Sequence, residues 1–331
     1  MTGARSVGGG GALTASVVIC AYSVERWDDL VAAVDSVRTQ TVAAAEIILV
    51  IDRNEELRRR AGAAFPGLVV VANERQGGIS GARNTGIGRA RGEVVVFLDD
   101  DAVAEPDWLG RLLAPYGDAA VLGVGGQILP LWRFGRPRWF PPEFNWVVGC
   151  TYVGLPEARA RVRNPIGASL SARRTVLTAL GGFDHSMGRV SDEDHTRVSG
   201  TADETELCIR ATDRWPERFW LYEPAARVHH VVPRSRMSWP FFLGRCRMEG
   251  AAKALLSQIT GTGPSLASEQ RYVRVTLPRG VARELRNAAG GDLWGLARAG
   301  AIVAGAAVTA GTYAQRRASL AWRRAGHPSY S

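Results

Sequence analysis

Four short apolar runs set the rhythm of the first hundred residues, and each is followed by a stretch of different period. Val17-Val18-Ile19-Cys20-Ala21-Tyr22 reads as a strand, and Leu30, Val31, Val34 and Val37 behind it have the spacing of an amphipathic helix over residues 27–37. Residues 46–51 predict a second strand, ending in Asp52-Arg53-Asn54, with a charged helix running to about Ala64. Val69-Val70-Val71 predicts a third. Residues 77–86 form a Gly-rich turn leading into a helix, and Val94-Val95-Val96-Phe97-Leu98 gives the fourth strand. Its apolar residues are consecutive and mostly β-branched or aromatic, which implies a strand covered on both faces and therefore parallel. Strands alternating with helices predict a doubly wound α/β sheet, whose right-handed crossovers gather the strand ends along one edge.

The fourth strand runs straight into Asp99-Asp100-Asp101. Three like charges at a strand tip repel one another, and a divalent cation with hard oxygen ligands, Mg2+ or Mn2+, would relieve them and hold a diphosphate. The plainer alternative is one aspartate turning the chain and another helping to start a helix at Pro106. Ligands in open α/β sheets gather at the carboxyl ends of the strands, which would bring Ala21, Tyr22, Asp52 and the three aspartates to one crevice. The Gly-rich turn has neither the spacing of a phosphate-binding P-loop nor the position of a dinucleotide fingerprint.

Beyond residue 130 the pattern changes. Trp132, Trp139, Phe140 and Trp146 lie in a Pro- and aromatic-rich stretch, suited to core packing or to sugar stacking. Residues 167–174 precede a helix stopped by Gly181-Gly182, and Asp203-Glu204 opens another helix. Thr201-Ala202-Asp203-Glu204 also fits a capping box. His229 and His230 follow on a strand, where neighbours point to opposite faces, so at most one reaches a shared site. Arg245 and Arg247 are phosphate contacts or solvated surface. Residues 299–314 are uncharged and weakly apolar; as a helix they would span about 24 Å, short of a bilayer crossing. The expectation is a packed or membrane-associated helix, with Arg316, Arg317, Arg323 and Arg324 suited to an anionic leaflet.

These pieces in this order resemble family-2 glycosyltransferases of the GT-A fold. The resemblance rests on residues 16–22, Asp52, residues 82–87, residues 92–101, Gly182-Phe183-Asp184, residues 203–208 and residues 228–233. It implies inverting transfer of a sugar from a nucleoside diphosphate donor, UDP-linked in the first instance, to an acceptor hydroxyl. By resemblance, Asp52 recognises the base and Ala21, Tyr22, Arg83, Asp99 and Asp100 belong to the donor site. Asp101 with His229 or His230 would hold Mg2+ or Mn2+. Glu204, or the shorter Asp203, would be the general base, in a pair whose order departs from the usual Glu-Asp. The strand-two tip also departs, keeping a single carboxylate. Residues 14–130 would form the nucleotide-sugar half, residues 131–255 the acceptor and base half, and residues 256–331 a helical tail. A glycan or polyprenyl-linked acceptor would explain that tail. A sugar nucleotidyltransferase and a non-catalytic sugar-binding relative are the competing readings.

Composition narrows the classes further. With 331 residues, 46% hydrophobic and 22% charged, the chain suits one large or two modest globular domains. The net charge of +9 is almost all arginine, Lys253 being the only lysine, and it is spread without the basic and aromatic alternation of a nucleic-acid platform. An anionic donor or membrane face accounts for the sign. Four scattered cysteines and no basic-then-apolar leader fit a cytoplasmic protein.

Overall fold

The computed structural model describes residues 13–185, 202–261 and 269–324. Thr201 and the Gly8–Gly11 stretch lie outside them. A nine-stranded sheet organises the chain. It comprises β1 (Ala15–Ala21), β2 (Glu46–Ile51), β3 (Val69–Ala72), β4 (Val94–Asp99), β5 (Ala102–Ala104), β6 (Val121–Trp132), β7 (Ala160–Val162), β8 (Ser169–Arg173) and β9 (Phe219–Val232). The strands lie in the order β3-β2-β1-β4-β8-β6-β9-β5, with β7 pairing β9.

The first four strands are parallel and match the apolar runs of the sequence. Alternate residues feed two cores: Val17, Ile19, Val94 and Val96 pack into one, and Val18, Ile48, Val95 and Phe97 into the other. Helices α1 (Trp27–Arg38), α2 (Glu55–Ala64) and α3 (Ile79–Arg89) join them. Asn54 starts α2 by accepting from the Leu57 amide at 2.9 Å.

The sheet then ceases to be parallel. β8 runs antiparallel to both β4 and β6, while β6 and β9 pair in parallel. β8 is the sequence Ser-Leu-Ser-Ala-Arg, too polar to announce a buried strand, yet Ser169 and Ser171 are fully buried. Their hydroxyls are satisfied locally. Ser169 accepts from the Trp108 indole at 2.9 Å, and Ser171 accepts from the Tyr116 hydroxyl and donates to the Val124 carbonyl.

Further helices are α4 (Trp108–Leu113), α5 (Arg174–Ala179), α6 (Asp203–Arg214), α7 (Trp239–Thr260), α8 (Leu277–Ala289) and α9 (Trp294–Arg324), with shorter helical turns between them. A π-helical turn, Tyr272–Thr276, leads into α8. The apolar tail is longer than its uncharged part: α9 has 31 residues, and Trp294–Trp322 is long and apolar enough to cross a membrane by length and composition. One face is packed. A Cβ on Gly305 would strike the Phe144 ring, and one on Gly250 of α7 would strike the Thr309 carbonyl, so these glycines set the close approach of α9 to the body.

Candidate active site

Strand pairing brings the acidic tip and one histidine together. β4 ends on Asp99, which pairs in register with Cys20 of β1, and after a two-residue turn β5 pairs antiparallel with β9. That register sets Ala102 against His230 and Val103 against His229, and the Val231 amide donates to the Asp101 carbonyl at 2.8 Å. Successive side chains of a strand face opposite ways. His230 is therefore buried beside the acids, its Nε2 at 3.2 Å from Asp101 and 3.9 Å from Asp99. His229 turns away to Glu105, at 3.1 Å, and stays half exposed. Of the two histidines the sequence left open, His230 is the one beside the acids, and His229 is not in that group.

Asp99, Asp101 and His230 each offer one ligand atom, and these atoms lie within 4.8 Å of one another. Two carboxylate oxygens and an imidazole nitrogen are a donor set that suits Mn2+ or Mg2+, so the cluster is able to bind a divalent metal. Asp99 joins this set as well as facing the donor crevice.

The mutual repulsion of the aspartates is also relieved by the protein itself. Arg26, from the turn after β1, pairs with Asp100 at 2.7 Å and with Asp101. Burial works against the His230 charge, but the adjacent Asp101 more than offsets it and lifts the imidazole to about 10. Burial pushes the Asp100 carboxyl up to about 7, against the pull of Arg26. Asp100 thus points at Arg26 from within the strand turn. Arg26 went unnoticed in the sequence, where nothing but its place behind the first strand marks it.

A second acidic pair faces the first across Arg83. This arginine, on α3, is 4% exposed, and its guanidinium lies 3.1 Å from Asp203, 3.3 Å from Glu204 and 3.7 Å from Asp99. Burial opposes its charge, yet Asp203, Glu204 and Asp99 together raise its affinity for the proton. α3 is fixed to the segment before α6 through Asn84, which donates to the Phe183 carbonyl and accepts from its amide, both at 2.8 Å. The Ala-Arg-Asn-Thr-Gly and Gly-Gly-Phe-Asp stretches are therefore two halves of one clamp.

α6 begins at Asp203 with Ala202 as its N-cap and no side-chain cap. Asp203 is buried and also accepts from Ser80 at 3.1 Å, so one of its oxygens is doubly held. Glu204 is less constrained. Burial, followed by the neighbouring Asp203 charge, raises its carboxyl from the ordinary 4.5 to about 8, with Arg83 pulling the other way. Gly167 lies against this pair, and a Cβ there would overlap the Glu204 carboxylate and come within 2.5 Å of Arg83. That close approach is invisible in the sequence.

Asp52, at the tip of β2, accepts from Asn73 at 2.7 Å and from the Gly78 amide at 2.8 Å. It thereby ties the second strand to the Gly-rich turn, while Ala21 and Tyr22 form the adjoining wall. Tyr22 is half exposed, with the Arg26 guanidinium 5.7 Å from its ring centre. All the candidates except His229 and Arg247 line one cavity of about 1230 Å³. It extends past Glu204 to Arg163, Lys253 and Glu269. Arg245, buried, reaches it too, its Nε donating to the Val147 carbonyl at 3.4 Å.

Residues 16–163 match the family model described as glycosyl transferase family 2. A glucosyl-dolichyl phosphate glucuronosyltransferase of Haloferax volcanii is 36% identical over 245 residues, covering 73% of this chain and 76% of the relative. The succinoglycan biosynthesis protein ExoM of Rhizobium meliloti is 28% identical over 162 residues, covering 48% and 47%. Among solved structures, the mannosyltransferase PcManGT of Pyrobaculum calidifontis, in complex with GDP-Man and Mn2+, aligns with a TM-score of 0.57 at 18% identity over 90% of this chain and 87% of its own. GalNAc-T7, crystallised with UDP, GalNAc and Mn2+, aligns with a TM-score of 0.52 at 21% identity over 74% of this chain and 50% of its own. These two share the GT-A fold.

Proposed function

Because the chain belongs to glycosyl transferase family 2, we propose that it transfers a hexosyl unit, glucuronosyl in the first instance, from a UDP-sugar to a glycan carried on a polyprenyl phosphate. The observation that carries this reading is the placement of two acidic groups on either side of Arg83 in one cavity. Asp99, Asp101 and His230 form the first, and Asp203 with Glu204 the second.

The reaction is a single displacement. The acceptor hydroxyl oxygen bonds to the anomeric carbon as that carbon's bond to the diphosphate breaks, and the hydroxyl proton goes to a carboxylate. Glu204 is our choice for that base: its carboxyl near 8 matches a group working around neutral pH. Asp203, held by Arg83 and Ser80, fixes the guanidinium and is the alternative. Ala21, Tyr22 and Asp52 bound the nucleotide end, with Asp52 setting the Gly-rich turn. A divalent cation held by Asp99, Asp101 and His230 would supply charge neutralisation for the departing diphosphate. Arg26 and Arg83 place positive charge at the same end without it.

The relative's lipid-linked acceptor suits α9, whose outward residues Leu296, Val303 and Ala307 are exposed and uncharged. No acidic residue follows Asp292 in the sequence. We therefore place the enzyme against the cytoplasmic face of an anionic membrane.

A panel of UDP-, GDP- and dTDP-sugars, with and without Mn2+ or Mg2+, tests the reading. Metal-dependent hydrolysis or binding of one UDP-sugar supports it, and absence of binding to any donor with either metal overturns it.

A further inference from the structure

The cavity continues beyond the acidic pair into a part with different walls. There α7, the π-helical turn, the start of α8 and α9 contribute the apolar Leu256, Val273, Leu277, Ala306 and Ala310, alongside the polar Glu249, Lys253, Thr309 and Tyr313. The total volume of about 1230 Å³ exceeds the roughly 300–1,000 Å³ of an ordinary small-ligand site, so a second ligand fits beside a nucleotide sugar. Arg271 and Arg274, at the π-helical turn, also line this part. Both are exposed, and among the described residues neither has an ion pair. Helical turns of this kind are rare and cluster at functional sites. The same segment brings one exposed apolar side chain, Val273, between the two arginines.

We propose that this end of the cavity holds a polyprenyl phosphate, its phosphate at Arg271 and Arg274 and the first isoprene units along Val273, Leu277 and Ala310. The assignment rests on the transferase reading for the glycan that the lipid carries. The small side chains of α9 are what make the slot: Ala306 and Ala310 face it where larger residues would fill it. Charge complementarity selects the head group, and the run of apolar side chains gives a hydrocarbon a surface, beside the polar Lys253, Glu249 and Tyr313 that line the same cavity. The slot adjoins the exposed uncharged face of α9, so a chain anchored in a membrane reaches it without crossing the polar donor crevice.

Equilibrium binding to the full chain in detergent micelles tests this, with polyprenyl monophosphate, geranyl monophosphate, inorganic phosphate and phosphatidylglycerol as probes. Each buried methylene adds to binding, so polyprenyl monophosphate binds at least about tenfold tighter than inorganic phosphate and than phosphatidylglycerol. Ala310→Trp removes about tenfold of that chain-dependent gain, and Arg271→Ala with Arg274→Ala weakens both prenyl phosphates about tenfold. The arginine pair is exposed, so its replacement keeps the test decisive if the tryptophan variant fails to fold. Equal binding of phosphate and polyprenyl phosphate, equal binding of phosphatidylglycerol, or indifference to the arginine replacements overturns the assignment. Donor hydrolysis is scored separately. A protein that turns over donor without any gain from the chain loses the lipid slot and keeps the transferase reading, whereas the reverse result keeps the slot and removes that reading.

Discussion

Replacing Glu204 by glutamine should damage catalysis and stabilise the fold at alkaline pH, and both effects have one cause. The native carboxyl holds its proton to about 8, whereas the unfolded chain releases it near the ordinary 4.5. Between those values the native state binds more protons than the unfolded state, so the stability contributed by this group is greatest below 4.5 and declines as pH rises through the window to about 8. At about 1.4 kcal/mol per pH unit, the ceiling on that decline is about 5 kcal/mol. The side chain is 19% exposed, which lets solvent screen part of the charge, and glutamine forgoes the charge attraction to Arg83. The net gain for Glu204→Gln at about pH 9 is then about 1–3 kcal/mol, or roughly 1.5–4 °C in Tm. Glutamine cannot take a proton from the acceptor, so transfer falls by about 10²–10⁴-fold. The wild-type rate should climb about tenfold per pH unit until about pH 8, where the carboxyl is ionised. Thermal unfolding at several pH values, alongside transfer rates, measures both. Unchanged transfer, or a variant less stable than wild type at about pH 9, refutes the reasoning.

Two further replacements probe the geometry. His230→Ala should weaken Mn2+ binding by about tenfold or more, while His229→Ala, which loses only the contact to Glu105, should leave it within about twofold; isothermal titration separates them, and equal effects would contradict the strand register as the selector. Gly167→Ala should fold, because the atoms it displaces are side-chain tips, yet it should lower kcat by about tenfold or more with donor KM little changed, since Glu204 and Arg83 must both move; a wild-type kcat would contradict the tight placement of the base.

Strands with continuous apolar runs were legible in advance. β1, β2 and β4 emerge almost residue for residue, because burial on both faces leaves no alternative to hydrophobic side chains, while β3, a partly exposed edge strand, is marked by its three valines alone. The antiparallel half was not. β8 hides two buried serines whose partners, Trp108, Tyr116 and Val124, come from distant segments, so no local pattern marks it as a strand. The acidic clusters and Arg83 were readable as motifs, but the choice of His230 over His229 needed the pairing of β5 with β9. Arg26 and Gly167 act through contacts with residues far along the chain, and a single sequence holds no trace of such proximity. The tail was read from its uncharged centre alone, which understated a helix that gains its length from the mixed residues at both ends.

The most direct test of the central claim is the anomeric configuration of the product formed from an α-linked UDP-sugar, with Mn2+ and a polyprenyl phosphate-linked glycan, followed by NMR. A single displacement with Glu204 or Asp203 as base predicts a β-linked product. An α-linked product, or none from any donor that binds, would contradict it.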